Sequence, residues 1–397
     1  MRLTDEERAL LDGAAGHATR KAMQILVALG EIYGAEDLVP VRSVQVAGVS
    51  FHNLGEAGLE WLESMAEDGR IRAVTTLNPA GMDLVEWEAQ GIAEGFAEKQ
   101  LRLVKAYERM GIAPTCTCTP YLIGNLPGPG EHIAWAESSA VAYANSVLGA
   151  RTNREGGPSA LAAALTGRTP RYGLHLDANR VPTIEVVIEA PLESSSAWGA
   201  LGRVIGKQSN GRVALLRTTA RPSVAQLKSL GAALVTFGGS PLYYVGGLTA
   251  APPGPRPPDS ILVRAPDVEA AIEELSDGAD EVELVALGCP HASLDELAHL
   301  AGLLDGRTVK KEMWICTARP IKQAAEKFGI IETIERSGAK VVSDTCFAVT
   351  PLESRRGMTI ATDSAKGCYY ASGHNKLRVH LGTVSECVEA AVTGRWK

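Results

Sequence analysis

From about residue 182 onward the chain alternates short aliphatic runs with helical periodicity: Ile184-Glu185-Val186-Val187-Ile188, a helix near 196–206, Val213-Ala214-Leu215-Leu216 and a helix near 223–230. Such alternation predicts parallel βαβ units, because parallel neighbours must be joined by a crossover long enough to hold a helix. The same constraint says where chemistry belongs. In open parallel sheets, ligands collect outside the carboxyl ends of the strands, so the loops that directly follow strands are the places to search.

The rest of the chain fits an α/β class. Thr4 and Glu7 form a capping-box pattern, and Met23, Leu26, Val27 and Ile32 then recur at helical spacing. Val44 and Val46 predict a strand running into Ala47-Gly48-Val49-Ser50, and a second strand ends at Thr75-Thr76-Leu77-Asn78-Pro79. A helix is expected near 98–110, an extended or looped stretch over Pro114–Pro120, and a helix near 134–149 ending in the polar run 149–157. The segment 251–258 has five prolines in eight residues, so it reads as a linker and a lobe boundary. Beyond it come Ile261-Leu262-Val263, a helix near 268–277 and the strand Val282–Leu287, which runs into Gly288-Cys289-Pro290-His291. Ser293 and Glu296 form another capping box, and Lys340-Val341-Val342-Ser343 leads into Asp344-Thr345-Cys346. Three lobes are expected, over 1–180, 181–250 and 259–397.

With 397 residues, 45% hydrophobic and 21% charged, the chain has ample core material. A net charge of −7 with scattered basic residues argues against nucleic acid. The acidic start, Met1-Arg2-Leu3-Thr4-Asp5-Glu6-Glu7, and the lack of an apolar run of about 18 residues point away from a secretory signal or a membrane span, hence to the cytoplasm. There, the seven cysteines remain thiols, and each is core filler, metal ligand or nucleophile.

Cys289 and Cys346 stand at predicted strand ends, and Cys118 in a Thr- and Pro-rich loop. Position alone does not separate Cys118 from Cys116, and Cys316, after Met313-Trp314-Ile315, passes the same test. Cys368 and Cys387 fall in predicted helices, where core packing is the better reading. There is no Cys-x-x-Cys, His-x-x-x-His, Gly-x-Ser-x-Gly or Walker A pattern. Gly238-Gly239 and Gly246-Gly247 read as turns.

Taken together, the loops Gly48-Val49-Ser50, Thr76-Leu77-Asn78-Pro79-Ala80-Gly81, Cys118-Thr119-Pro120-Tyr121, Glu137-Ser138-Ser139, Asn145-Ser146 with Gly149-Ala150-Arg151, Gly288-Cys289-Pro290-His291, Asp344-Thr345-Cys346 and Asp363-Ser364-Ala365-Lys366 resemble those of the aconitase X family, in the same order along the whole chain. The chain looks like the separate large subunit of that family.

The resemblance implies a multi-lobed, aconitase-like α/β fold around a central active-site cleft, and a hydro-lyase that dehydrates a β-hydroxy carboxylate. It implies an iron-sulfur cluster on Cys118, Cys289 and Cys346, leaving Cys316 out. Gly48, Val49, Ser50, Asn78, Pro79, Ser138, Ser139 and Ser364 match substrate-pocket loops. The cluster is expected as [4Fe-4S], and because the chain lacks the Cys-x-x-Cys pair of standard aconitases, [3Fe-4S] and [2Fe-2S] stay open. A small partner subunit is expected to carry the swivelling domain. Within the family the substrate is (R)-5-phosphomevalonate, dehydrated to trans-anhydromevalonate 5-phosphate in an archaeal-type mevalonate pathway, or cis-3-hydroxy-L-proline; separate subunits and an Arg-rich loop favour the first.

A cluster held by three thiolates leaves one iron open to act as a Lewis acid. The remaining roles fall to Ser50, Asn78, Ser138, Ser364 and Lys366 as donors, to Arg151 and Arg154 as anion clamps, and to His291 as acid, base or hydrogen-bond donor. The competing readings are a non-catalytic iron-sulfur or zinc-binding scaffold, a redox sensor, and a thiol hydrolase using Cys289 and His291.

Overall fold

The computed structural model describes residues 1–250, 254–352 and 355–397, in two compact units, Met1–Val181 and Pro182–Lys397. In the first unit the strands are β1 (Leu38–Pro40), β2 (Ser43–Val46), β3 (Val74–Leu77), β4 (Ala134–Trp135) and β5 (Arg168–Pro170). β1 and β5 form an antiparallel pair, while β2 lies parallel between β3 and β4. The segment after Ala113 extends this sheet beyond β3, with the Thr117 N–H donating to the Leu77 carbonyl at 2.9 Å. On the other side Arg151 pairs beside His132, and the Glu155 N–H reaches the Trp135 carbonyl at 3.0 Å.

Helices His17–Ile32 and Gly157–Thr166 pack together, as do Phe51–Asp68 and Glu94–Arg109. Their apolar stripes bury Met23, Leu26, Leu59, Leu62 and Leu103 almost completely, each worth roughly 1.5–3 kcal/mol. The expected Thr4–Glu7 capping box is present in the first helix, Asp5–Asp12.

One expected helix is shorter than its periodicity implied. Residues 134–135 belong to β4, and the helix runs only over Ser138–Ser146. The Trp135 indole donates to Ser43 Oγ at 3.1 Å, which commits this stretch to the sheet, and the Glu137 carboxylate accepts the Ala140 N–H at 2.6 Å, which fixes the helix start after it.

The second unit holds two fully parallel sheets. The first comprises β6 (Ile184–Ile188), β7 (Ala214–Arg217), β8 (Tyr243–Val245) and β9 (Asp259–Val263), in the order β8-β7-β6-β9. The second comprises β10 (Leu284–Ala292), β11 (Glu312–Thr317), β12 (Lys340–Ser343), β13 (Thr359–Thr362) and β14 (Arg378–Leu381), in the order β12-β11-β10-β13-β14.

The proline-rich segment is not the end of a sheet. β9, which follows it, pairs with β6, which precedes it, from Ile184↔Asp259 to Ile188↔Val263, so the expected boundary between 250 and 259 cuts through one layer. Part of that segment, Ala251, Pro252 and Pro253, lies outside the described residues. Its Arg256 donates Nε to the buried Glu185 carboxylate of β6 at 2.9 Å. A crossover made of prolines can therefore still be anchored to the sheet it spans.

Candidate active site

In the first unit, three loops leave the carboxyl ends of parallel strands. β2 ends in Ala47–Ser50, β3 in Asn78–Gly81, and β4 in Ala136–Ser139. Gly48 has φ 78°, a turn that glycine makes without a Cβ penalty. It delivers Val49 and Ser50, both almost fully buried, to the start of helix Phe51–Asp68.

Ser50 stands at the N-cap position of that helix, yet its hydroxyl makes no capping bond. Among the described residues Ser50 Oγ and Asn78 Oδ1 are buried polar atoms with no hydrogen-bond partner. Since an unmet buried polar group costs about 1–3 kcal/mol, such atoms are retained where something else uses them. Asn78 is held by its backbone, whose N–H donates to the Val46 carbonyl at 2.9 Å. Pro79 beside it is buried.

The serines after β4 are placed differently. Ser139 Oγ and Ser138 Oγ both donate to the Glu137 carboxylate, at 2.5 and 3.2 Å. Their hydroxyl oxygens keep acceptor capacity at the helix N-terminus.

Arg151 does not join these loops. It pairs beside His132, ahead of β4, and so lies toward the amino ends of the parallel strands. Its guanidinium is spent on the His175 carbonyl and on Asp177. The nearby His132 and His175 imidazoles share a 2.9 Å hydrogen bond, and burial pushes His175 down to about 3. Arg154, three residues further along, is level with the carboxyl edge; it is exposed and forms no hydrogen bond or ion pair among the described residues.

Cys116 and Cys118 are now distinct. Cys116 is fully buried within the apolar core of the first unit, whereas Cys118 lies outside that cluster, in the loop past the sheet edge, where Thr117 Oγ1 and Thr119 Oγ1 bond at 3.1 Å.

In the second unit the thiols dominate. Past Leu287, β10 breaks register with β11, and Gly288, at φ 85°, presses so closely on Cys316 that a Cβ there would stand 2.1 Å from the Cys316 carbonyl oxygen. This irregularity carries Cys289 out of the regular ladder. Cys346 follows β12 and packs against Cys316. Burial, then Cys289 and Cys316, drive the Cys346 thiol well above its ordinary range, while Lys366 pulls the other way. Thiols gathered this way resist ionisation unless a cation arrives, the chemistry of a thiolate-held metal. Among the described residues no three His, Cys, Asp or Glu side chains are arranged to hold a metal ion by themselves.

The surroundings of these thiols are tied down. His291 is fully buried, its Nε2 2.9 Å from the Thr345 carbonyl, so the imidazole joins the two cysteine loops. The buried Lys228 ammonium, from helix Val224–Gly238, donates to the His291 carbonyl at 2.8 Å and to Glu296 at 2.6 Å. Asp344, at φ 63° and buried, accepts Arg319 Nε at 2.8 Å, fixing the turn before Cys346. Ser364 caps helix Ala365–Gly373 by accepting the Gly367 N–H at 2.9 Å, and the buried Lys366 Nζ lies 6.0 Å from the Tyr370 ring centroid. Cys368 and Cys387 are buried in helices, as expected.

The first unit sets polar loops, and the second sets thiols, at the strand ends where open parallel sheets bind small molecules. Models of the first, second and third domains of aconitase X match residues 1–178, 182–283 and 282–393, and the chain belongs to the aconitase X family. It is 48% identical to a phosphomevalonate dehydratase large subunit of Methanothermobacter thermautotrophicus over 92% of this chain and 93% of that one. A cis-3-hydroxy-L-proline dehydratase of Hypocrea jecorina is 34% identical over 99% of this chain and 69% of its own length. The crystal structure of Thermococcus kodakaraensis aconitase X, holo-form, superimposes with a TM-score of 0.92 at 42% identity, over 98% of this chain and all of that one.

Proposed function

We propose that this chain is the large subunit of a dehydratase that converts (R)-5-phosphomevalonate to trans-anhydromevalonate 5-phosphate. The near full-length match to a phosphomevalonate dehydratase large subunit carries this reading. The reaction removes a proton from the carbon next to the carboxylate and a hydroxyl from the next carbon, giving an alkene and one water.

Cys118, Cys289 and Cys346 hold the iron-sulfur cluster in this proposal, most readily as [4Fe-4S]. When bound, the cluster supplies a Lewis acid toward the substrate hydroxyl. Ser50 and Asn78 use their unmet groups on the substrate, and Ser138 and Ser139 line the same pocket at a helix N-terminus that favours an anion. Arg154, rather than Arg151, takes the phosphate, since Arg151 is already engaged by Asp177. Lys366 and Ser364 serve at the cysteine side, and His291 positions the two cysteine loops. A small subunit with the swivelling domain completes the site and supplies the proton-abstracting base. The complex works in the cytoplasm; among the described residues no helix is long and apolar enough to cross a membrane.

The test is anaerobic co-expression with the small subunit, iron reconstitution, and assay of both candidate substrates. Loss of water from phosphomevalonate supports the proposal. Turnover of cis-3-hydroxy-L-proline alone moves the assignment to the other branch, and iron binding without turnover of either makes the chain a non-catalytic iron-sulfur protein.

A further inference from the structure

Gln100 is a fully buried amide on helix Glu94–Arg109, a polar residue on the face that otherwise contributes Ala97, Leu103 and Val104 to the core. Every polar end of it is used. Nε2 donates to the Val49 carbonyl at 2.9 Å, and Oε1 accepts the Phe51 N–H at 3.0 Å and the Gly81 N–H at 3.1 Å. One side chain thus spans the loop after β2 and the loop after β3, bonding on both sides of Ser50.

The packing is tight as well. A Cβ at Gly81 would stand 2.6 Å from Ser50 Oγ and 2.9 Å from Gln100 Oε1, so the two loops meet where only glycine fits. Without the amide, two N–H groups and one carbonyl lose their partners inside the protein, and beyond the β2–β3 ladder the loops lose the side chain that bridges them.

We propose that Gln100 is a positioning residue for substrate binding, holding the Gly48–Phe51 and Asn78–Gly81 loops in register so that Ser50 Oγ and Asn78 Oδ1 face one ligand. This rests on the reading that those loops bind the substrate. Gln100 touches no substrate itself; it acts through the two loops.

The experiment compares wild type, Gln100→Met and Gln100→Glu as iron-reconstituted large subunit with its small subunit. Gln100→Met keeps the shape and removes all three bonds. Its expected phenotype is a KM for phosphomevalonate raised roughly tenfold or more with kcat within about threefold, at unchanged iron content. Gln100→Glu retains both accepted bonds and is expected to fall between the two. A KM within twofold of wild type, or a loss confined to melting temperature, overturns the inference. If Gln100→Met fails to fold, Gln100→Leu, which also removes all three bonds, decides by the same KM criterion. Inactivity of the wild type on phosphomevalonate sinks the functional reading instead. The Gln100 inference is then judged by amide hydrogen exchange, where faster exchange at both Phe51 and Gly81 in Gln100→Met, or in Gln100→Leu where Gln100→Met does not fold, supports it and unchanged exchange at either overturns it.

Discussion

The carboxyl edges of two parallel sheets differ in kind. Beyond β2, β3 and β4, the first unit presents small neutral groups, Ser50, Asn78, Ser138 and Ser139, two of them with buried polar atoms unmet. Beyond β10 and β12, the second unit presents thiols whose surroundings are braced by buried bonds: His291 to Thr345, Asp344 to Arg319, Lys228 to Glu296. The third sheet, β8-β7-β6-β9, is equally parallel, and no candidate site residue follows its strands. Parallel topology therefore opens a position for chemistry without filling it. What fills it depends on whether the local structure leaves polar atoms unmet or locks them around soft ligands.

The largest test of this contrast lies on the thiol side. Cys289→Ala or Cys346→Ala is expected to abolish iron binding and lower activity by roughly a thousandfold or more, about 4 kcal/mol, whereas Cys316→Ala keeps its iron. Iron analysis with activity assay decides it, and iron loss from Cys316→Ala would blur the distinction among the three thiols.

Arg319→Ala comes next. It removes the guanidinium that pairs with the buried Asp344 carboxylate, with an expected loss of about 3 kcal/mol in denaturant unfolding and a lower iron content. On the polar side the reverse pattern is expected. Ser50→Ala removes an atom with no partner, so stability stays within about 0.5 kcal/mol, while kcat/KM falls about 30-fold, near 2 kcal/mol. A destabilised but fully active Ser50→Ala protein would reverse the comparison.

The smallest effect concerns Asp363. Burial, reinforced by Glu296, lifts its carboxyl to about 6. The protonated form is thus favoured by folding, so its contribution is full below about pH 4 and is lost as pH rises through 6. The expected size is on the order of 1 kcal/mol, given its partial exposure. Melting curves across that window should flatten in Asp363→Asn.

Strand alternation and the strand-end rule led from the sequence to Cys289 and Cys346, because period and turn residues are local properties, whereas Ser50 and Asn78 were singled out only by the resemblance of their loops to a family. The rule could not separate Cys116 from Cys118, since the two lie in one loop and differ only in which faces the core. The level of Arg151 along the sheet was illegible for a related reason: it is set by an isolated pairing with His132 that no spacing announces. The proline segment looked like a boundary because composition records stiffness and not which strands pair across it. Gln100 escaped notice because a single polar residue on a helix reads as surface until its three backbone partners, far apart in sequence, are known.

Lys228 has a wider consequence. It rises from a helix of the sheet that bears no chemistry and grips the far end of β10, beside Cys289. That sheet acts as an abutment, and the cysteine loops stand on it as a span stands on its pier. Damage anywhere in this foundation is then expected to surface as a failure to keep the proposed cluster, in residues that never approach a ligand.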